Sequence, residues 1–124
     1  MSEWEFEEAD GFKKVFDKYK QDNPNEVKAI IRNLNKLFEA LKQGVQFQQY
    51  NPKFMEHREG KGVRAIDESG SPGSLKATRL YIYPDLVTKT IYLITIGDKD
   101  TQARRDIPEA KHFVEELLRE RENG

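Results

Sequence analysis

The chain contains no cysteine, which excludes disulfides, thiolate zinc sites and a cysteine nucleophile. It has only two histidines, His57 and His112, and without thiolates beside them they make no credible metal set. No apolar run approaches the roughly 18 residues that a membrane span requires. Residues 1–10 are acidic and lack the apolar stretch of a signal peptide. No nucleotide-type glycine loop and no Gly-x-Ser-x-Gly elbow is present. These absences lead us to expect a cytoplasmic protein with no membrane partner, no metal and no cofactor.

What is present is a chain of 124 residues, 36% hydrophobic and 35% charged. That length suits one domain spanning residues 1–124, and the apolar residues fall in runs that a disordered chain would not show. The net charge of −1 conceals an asymmetry. Residues 1–10 carry Glu3, Glu5, Glu7, Glu8 and Asp10 with no Lys or Arg, residues 11–106 carry 18 basic against 12 acidic residues, and residues 107–124 carry 3 against 5. A basic middle between acidic ends can attract a polyanion locally.

Trp4 and Phe6 alternate with glutamates, which predicts a short strand. Phe12, Val15, Phe16 and Tyr19 are spaced as one face of a helix. Asn23, Pro24 and Glu26 read as an N-cap, a first-turn proline and a capping-box partner. They open a second helix whose stripe is Val27, Ile30, Ile31, Leu34, Leu37, Phe38 and Leu41, with Gly44 as its stop. Glycine and proline punctuate residues 45–75, with a strand expected near Val63–Ile66 and a flexible loop over Ser69–Ser74. Leu80–Tyr83 and Thr90–Ile96 should pair as an antiparallel hairpin turned at Pro84 and Asp85. Asp106, with Glu109 three residues later, is expected to cap a last helix on Ile107, Ala110, Phe113, Val114, Leu117 and Leu118, with a frayed tail from Glu120. The expected fold is α+β: a small antiparallel sheet, an N-terminal helical hairpin and a C-terminal helix around a single core.

The segment Arg79-Leu-Tyr-Ile-Tyr, the strand Thr90–Ile96 and the run Gly97-Asp-Lys-Asp-Thr-Gln-Ala-Arg-Arg-Asp-Ile-Pro-Glu-Ala110 together resemble the RelE/ParE toxin superfamily. They look closest to its HigB-like addiction-module branch, on Arg79, Gly97, Asp98, Lys99, Gln102, Asp106, Ile107 and Ala110. The resemblance is specific over residues 76–118 and elsewhere extends to element order. It implies a toxin of a type II toxin–antitoxin pair, silenced by a cognate antitoxin protein. Members of the RelE branch cut mRNA on the ribosome without a metal, the ribose 2′-hydroxyl attacking the adjacent phosphate; members of the ParE branch poison gyrase.

Such cleavage needs a base for the 2′-hydroxyl, stabilisation of the phosphorane charge and an acid for the leaving 5′-oxygen. By resemblance, Arg64, Arg79 and Lys99 are the expected catalytic residues, and Lys76, Gln102, Arg104 and Arg105 the expected RNA contacts. Gln102 and Asp98 can also cap the turn. Tyr50, Tyr81, Tyr83 and Tyr92 can stack bases but are expected to pack. His57, in Glu56-His-Arg-Glu on an irregular segment, can act as a general acid but is expected to be a lone surface histidine; His112, beside the apolar face of the last helix, is expected to be a surface residue. The family pattern Gly-x-x-Glu-x-Arg, aligned on Gly62, meets Ala65 in place of glutamate and Asp67 in place of arginine, and an aspartate there would repel a phosphate. A second reading therefore stands beside the nuclease: a toxin-like scaffold that has lost catalysis and acts only as a binding module.

Overall fold

The computed structural model describes residues 3–123, and of Gln102 the backbone alone. Strand β1 (Glu5–Glu8) leads into helices α1 (Phe12–Asp22) and α2 (Pro24–Lys42). Two short 3₁₀ turns, Phe47–Gln49 and Lys53–Met55, then carry the chain to β2 (Arg58–Gly60), β3 (Val63–Asp67), β4 (Thr78–Asp85) and β5 (Thr90–Asp98). A π-helical turn, Gln102–Asp106, runs directly into α3 (Ile107–Asn123). The class is α+β, as the alternation of helical and strand periods dictates.

The sheet order is β1-β5-β4-β3-β2. β2 to β5 are antiparallel, while β1 pairs parallel to β5, Glu5 opposite Thr90 and Glu8 opposite Leu93. The expectation of a purely antiparallel sheet is corrected at this edge. The helical hairpin between β1 and the rest returns the chain to the far side, so β1 closes the edge that β5 would otherwise leave unpaired.

Both faces of the sheet are covered, and two cores replace the single one expected. α1 and α2 lie on one face, where Val27, Ile30, Leu37 and Leu41 meet Ile66, Leu80, Ile82, Ile91 and Ile96. α3 lies on the other, where Ala110 and Val114 meet Val63, Ala65, Tyr81 and Ile94. Near-continuous apolar strands such as Leu80-Tyr-Ile are the signature of two-sided burial. Between Tyr81 and Ile82 the pairing with β5 shifts by one residue: Tyr81 opposes Thr95 and Ile82 opposes Leu93, leaving Ile94 as a bulge. That bulge lets Ile94 face α3 while Ile96 faces the hairpin.

Local signals behave as their chemistry requires, with exceptions. Pro24 opens α2, but the Asn23 side chain makes no cap; it donates back to the Tyr19 carbonyl at 3.3 Å. Gly44 takes φ 92° just past α2, and the Val45 amide bonds the Ala40 carbonyl, closing that helix end. Asp106 does not cap α3: it ends the π-turn, and its wholly buried carboxylate accepts from Thr101 Oγ1 at 2.6 Å and Arg105 Nε at 2.9 Å. The last helix persists to Asn123 rather than fraying from Glu120. The loop after β3 is anchored on α2, through Arg32 to Ser71 and Asn33 to the Ser69 carbonyl. Tyr83, Tyr92 and Phe113 pack ring on ring at 6.4 and 5.5 Å, a packing role under α3. Among the described residues no helix is long and apolar enough to cross a membrane.

Candidate active site

Strand alternation sorts the polar residues of β2, β3 and β4 by face. On β3, Val63, Ala65 and Asp67 face α3, and Arg64 and Ile66 face the helical hairpin; on β4, Arg79 and Tyr81 face α3. β2 is joined to β3 by a tight turn through Gly60, Lys61 and Gly62, all at positive φ (90°, 53° and 83°). The ladder extends beyond β2 to His57, whose carbonyl accepts from the Ala65 amide at 3.2 Å.

This geometry gathers four ionisable side chains on one sheet face. Asp67 and Arg79 are directly opposite in the register, which sets their Cβ atoms about 5 Å apart. His57 Nε2 lies 3.3 Å from Asp67 Oδ2, and Asp67 Oδ1 accepts from the Ser69 amide at 2.8 Å. Arg79 Nη1 donates to Glu59 Oε1 at 3.3 Å. Side-chain exposures are 35% for His57, 11% for Asp67, 23% for Arg79 and 14% for Glu59, so all four are shielded but reachable. An imidazole held to a carboxylate through Nε2 keeps Nδ1 free to face a substrate.

The Tyr81 hydroxyl is buried beneath Arg79, which acts on it by charge and as a hydrogen-bond donor, while its cross-strand partner Thr95 Oγ1 is buried without a hydrogen bond among the described residues. Burial pushes the Tyr81 phenol up to about 12, against the pull of the nearby Arg79 charge; it stays protonated at neutral pH. In the same row, Gly97 opposes Arg79 on β5. A Cβ at Gly97 would stand 1.9 Å from Asp106 Oδ2, so only glycine lets the Asp106 carboxylate settle there. The Gly97-to-Asp106 motif is therefore a packed turn, held also by Asp98 Oδ1 accepting from the Asp100 amide at 2.9 Å.

The expected catalytic residues do not all converge. Arg64 is corrected: it stands on the hairpin face, with its guanidinium 5.5 Å above the Phe47 ring and Nη2 donating to the Met55 carbonyl at 2.9 Å. Alternation along β3 forbids it from joining Arg79. Lys99 is exposed on the turn two residues past Gly97, at the same end of the sheet as Arg79, with no ion pair among the described residues. The cleft is not purely cationic, because Glu59 engages Arg79 and Asp67 flanks it. Lys76 pairs with Asp98 at 3.1 Å, Arg104 is exposed, and Arg105 is spent on Asp106. The side chain of Gln102 lies outside the described residues.

Glu59 is the site residue that motif reasoning misses, and His57 one that it ranks first as a lone surface histidine and second as a general acid. Their signal is positional: Gly60-Lys-Gly62 is a hairpin turn, and folding residues 57–60 back on 63–67 puts His57 and Glu59 on the Asp67 face. His112 sits on α3, on the same helix as Glu115. Among the described residues, no three His, Cys, Asp or Glu side chains are grouped to hold a metal ion. Set against protein-family models and against curated proteins, the chain matches none.

Proposed function

We propose that this chain is a ribosome-dependent mRNA endoribonuclease of the RelE/ParE toxin kind, with His57, Glu59, Asp67 and Arg79 as its active site and a cognate antitoxin as its inhibitor. The observation that carries the proposal is the placement of a base, an acid and a cation on one partly open sheet face. The RelE-like resemblance over residues 76–118 supplies the substrate class. Its Arg79 is kept; Arg64 leaves the catalytic set, and Lys99 and Lys76 become contacts to flanking phosphates.

In this reading Glu59 accepts the 2′-hydroxyl proton as the 2′-oxygen attacks the phosphorus. Arg79 bonds the non-bridging oxygens, where negative charge grows in the pentacoordinate state. Protonated His57, its charge balanced by Asp67, donates to the 5′-oxygen as the P–O5′ bond breaks. The products are a 2′,3′-cyclic phosphate and a 5′-hydroxyl end. Asp67 thus serves as the partner that orients the imidazole, a different role from repelling the substrate.

The test is cleavage of a reporter mRNA in a translating extract, with primer extension to map the cut ends. Wild type should cut, and His57→Ala and Arg79→Ala should each slow cutting by about 10²-fold or more, the size of one acid–base or charge-stabilising contribution. Equal cutting by all three proteins would remove the assignment.

One observation favours the second reading, a binding module without catalysis. Two carboxylates flank Arg79, Glu59 paired with it and Asp67 opposite it, which lowers the affinity of this face for a phosphate. That reading expects no cut product from wild type, alongside tight binding of a small protein partner.

A further inference from the structure

At one end of the sheet, a cavity of about 640 Å³ opens where the β2–β3 and β4–β5 turns meet the end of α3. Its walls include Phe47, Arg58, Arg64, Tyr83, Leu86 and Leu118. That volume lies in the usual range for small-molecule sites, roughly 300–1,000 Å³. Leu86 and Leu118 are 45% and 40% exposed, so apolar surface is presented to whatever enters.

The charges in this cavity are unbalanced. Asp85 is engaged by Arg121, and Lys61 by Glu115 at 3.0 Å. Arg58 and Arg64 are direct cross-strand partners, and neither has a carboxylate within ion-pair distance among the described residues. Arg58 donates to Asn51 Oδ1 at 3.3 Å. Arg64 reaches the Met55 carbonyl, and its Nε is buried without a hydrogen-bond partner. Like charges directly opposite across a strand pair destabilise the sheet, and an unpaired buried donor adds to that. Burial, and then the Arg58 charge, lower the Arg64 pKa from its ordinary value. The Phe47 ring under Arg64 and the Met55 carbonyl offset part of this cost, but among the described residues no negative charge does, and an anion lying between the two guanidinium groups would.

We propose that this cavity binds a phosphate monoester carrying a flat apolar group, the phosphate between Arg58 and Arg64 and the apolar body against Tyr83, Leu86 and Leu118. Two uncompensated guanidinium charges match the −1.5 to −2 charge of a phosphate monoester better than the single charge of a carboxylate. The ester group accounts for the apolar wall, which inorganic phosphate would leave bare. A free mononucleotide and the terminal phosphate of an RNA strand share this chemistry. The site is independent of the His57–Arg79 cluster, because Arg58 and Arg64 serve the opposite face.

Calorimetric titration of the full chain with phenyl phosphate, benzoate and inorganic phosphate tests the assignment. Phenyl phosphate should bind about tenfold or more tightly than either of the others. Arg58→Gln, at an exposed position, should weaken phenyl phosphate about tenfold or more while raising the melting temperature of the ligand-free protein, because it removes the like-charge pair. A structural role for Arg58 would move the melting temperature the other way. Adenosine monophosphate, and one oligonucleotide with and without a 5′-phosphate, then identify the source. No binding of phenyl phosphate up to about 10 mM, equal affinity for benzoate, or unchanged affinity in Arg58→Gln overturns the proposal.

Discussion

Asp67 and Arg79 stand opposite each other on adjacent strands, yet they form no ion pair: Asp67 turns to His57 and Arg79 to Glu59. A direct Asp–Arg pair would consume both charges. The crossed arrangement leaves two proton-transfer groups, His57 and Glu59, at the accessible edge. Glu59→Gln should therefore depress cleavage by about 10²-fold while leaving stability within about 0.5 kcal/mol, because glutamine can still accept from Arg79. Paired assays of cleavage rate and urea midpoint check this; a stability loss matching the activity loss would make Glu59 structural.

Gly97→Ala should be severely destabilising, by about 3 kcal/mol or more. The new methyl would lie 1.9 Å from Asp106 Oδ2 and 2.8 Å from its Cγ, and the carboxylate is wholly buried and tied to Thr101 and Arg105, so it cannot swing aside. Replacing Asp106 in the same chain should recover part of the loss, since the clash disappears with the carboxylate. Urea denaturation of the two singles and the double gives the coupling. Strictly additive losses would show that the contact is not the cause.

Acid should weaken the fold through the β4–β5 turn. Burial alone would raise the Asp85 carboxyl, but hydrogen bonds from Arg121, Thr88 and Val87 together outweigh it and hold the pKa below the ordinary aspartate value. A folded-state pKa below the unfolded one means that the unfolded chain takes up the proton first as pH falls. Asp85 thus stabilises fully above the unfolded carboxylate pKa, and that contribution is lost as pH falls through the lowered one. Thermal melts from pH 7 to pH 3 should show a decline that is smaller in Asp85→Asn. The variant itself should be less stable at pH 7 by about 1–2 kcal/mol, the scale of charge-assisted hydrogen bonds lost.

Much of this architecture is legible in the residues. The stripe from Val27 to Leu41 specifies α2 because only a helical period puts those side chains on one face. Leu80–Tyr83 and Thr90–Ile96 specify a hairpin because β-branched and aromatic runs flank a short turn. β2 is not legible by the same means: Arg58-Glu-Gly has no apolar residue, and its existence depends on β3 offering an edge. The parallel pairing of β1 depends on where the helical hairpin delivers the chain, which no local pattern encodes. Asp106 reads as a helix cap until Gly97, nine residues earlier, is seen to hold a space for its carboxylate. The site follows the same division. Arg79 is marked by its motif, whereas His57 and Glu59 acquire meaning only once β2 is folded against β3.

Asn33 should control the site from the far side of the sheet. It is a buried polar residue on α2, and its Nδ2 donates to the Asp67 carbonyl at 2.8 Å and the Ser69 carbonyl at 3.0 Å. Those two carbonyls bracket the turn whose Ser69 amide grips Asp67 Oδ1. Removing the amide leaves two carbonyls unsatisfied and lets the turn drift, so Asn33→Ala should cost about 1–3 kcal/mol. The Asp67 carboxylate should then hold His57 less firmly, so mRNA cleavage should slow even at a temperature where the variant is still fully folded. Cleavage rate and urea midpoint, measured side by side on Asn33→Ala, check this. A rate loss in the fully folded variant identifies Asn33 as a positioning residue for the site. An unchanged rate, with stability alone reduced, would limit Asn33 to tying α2 to the loop.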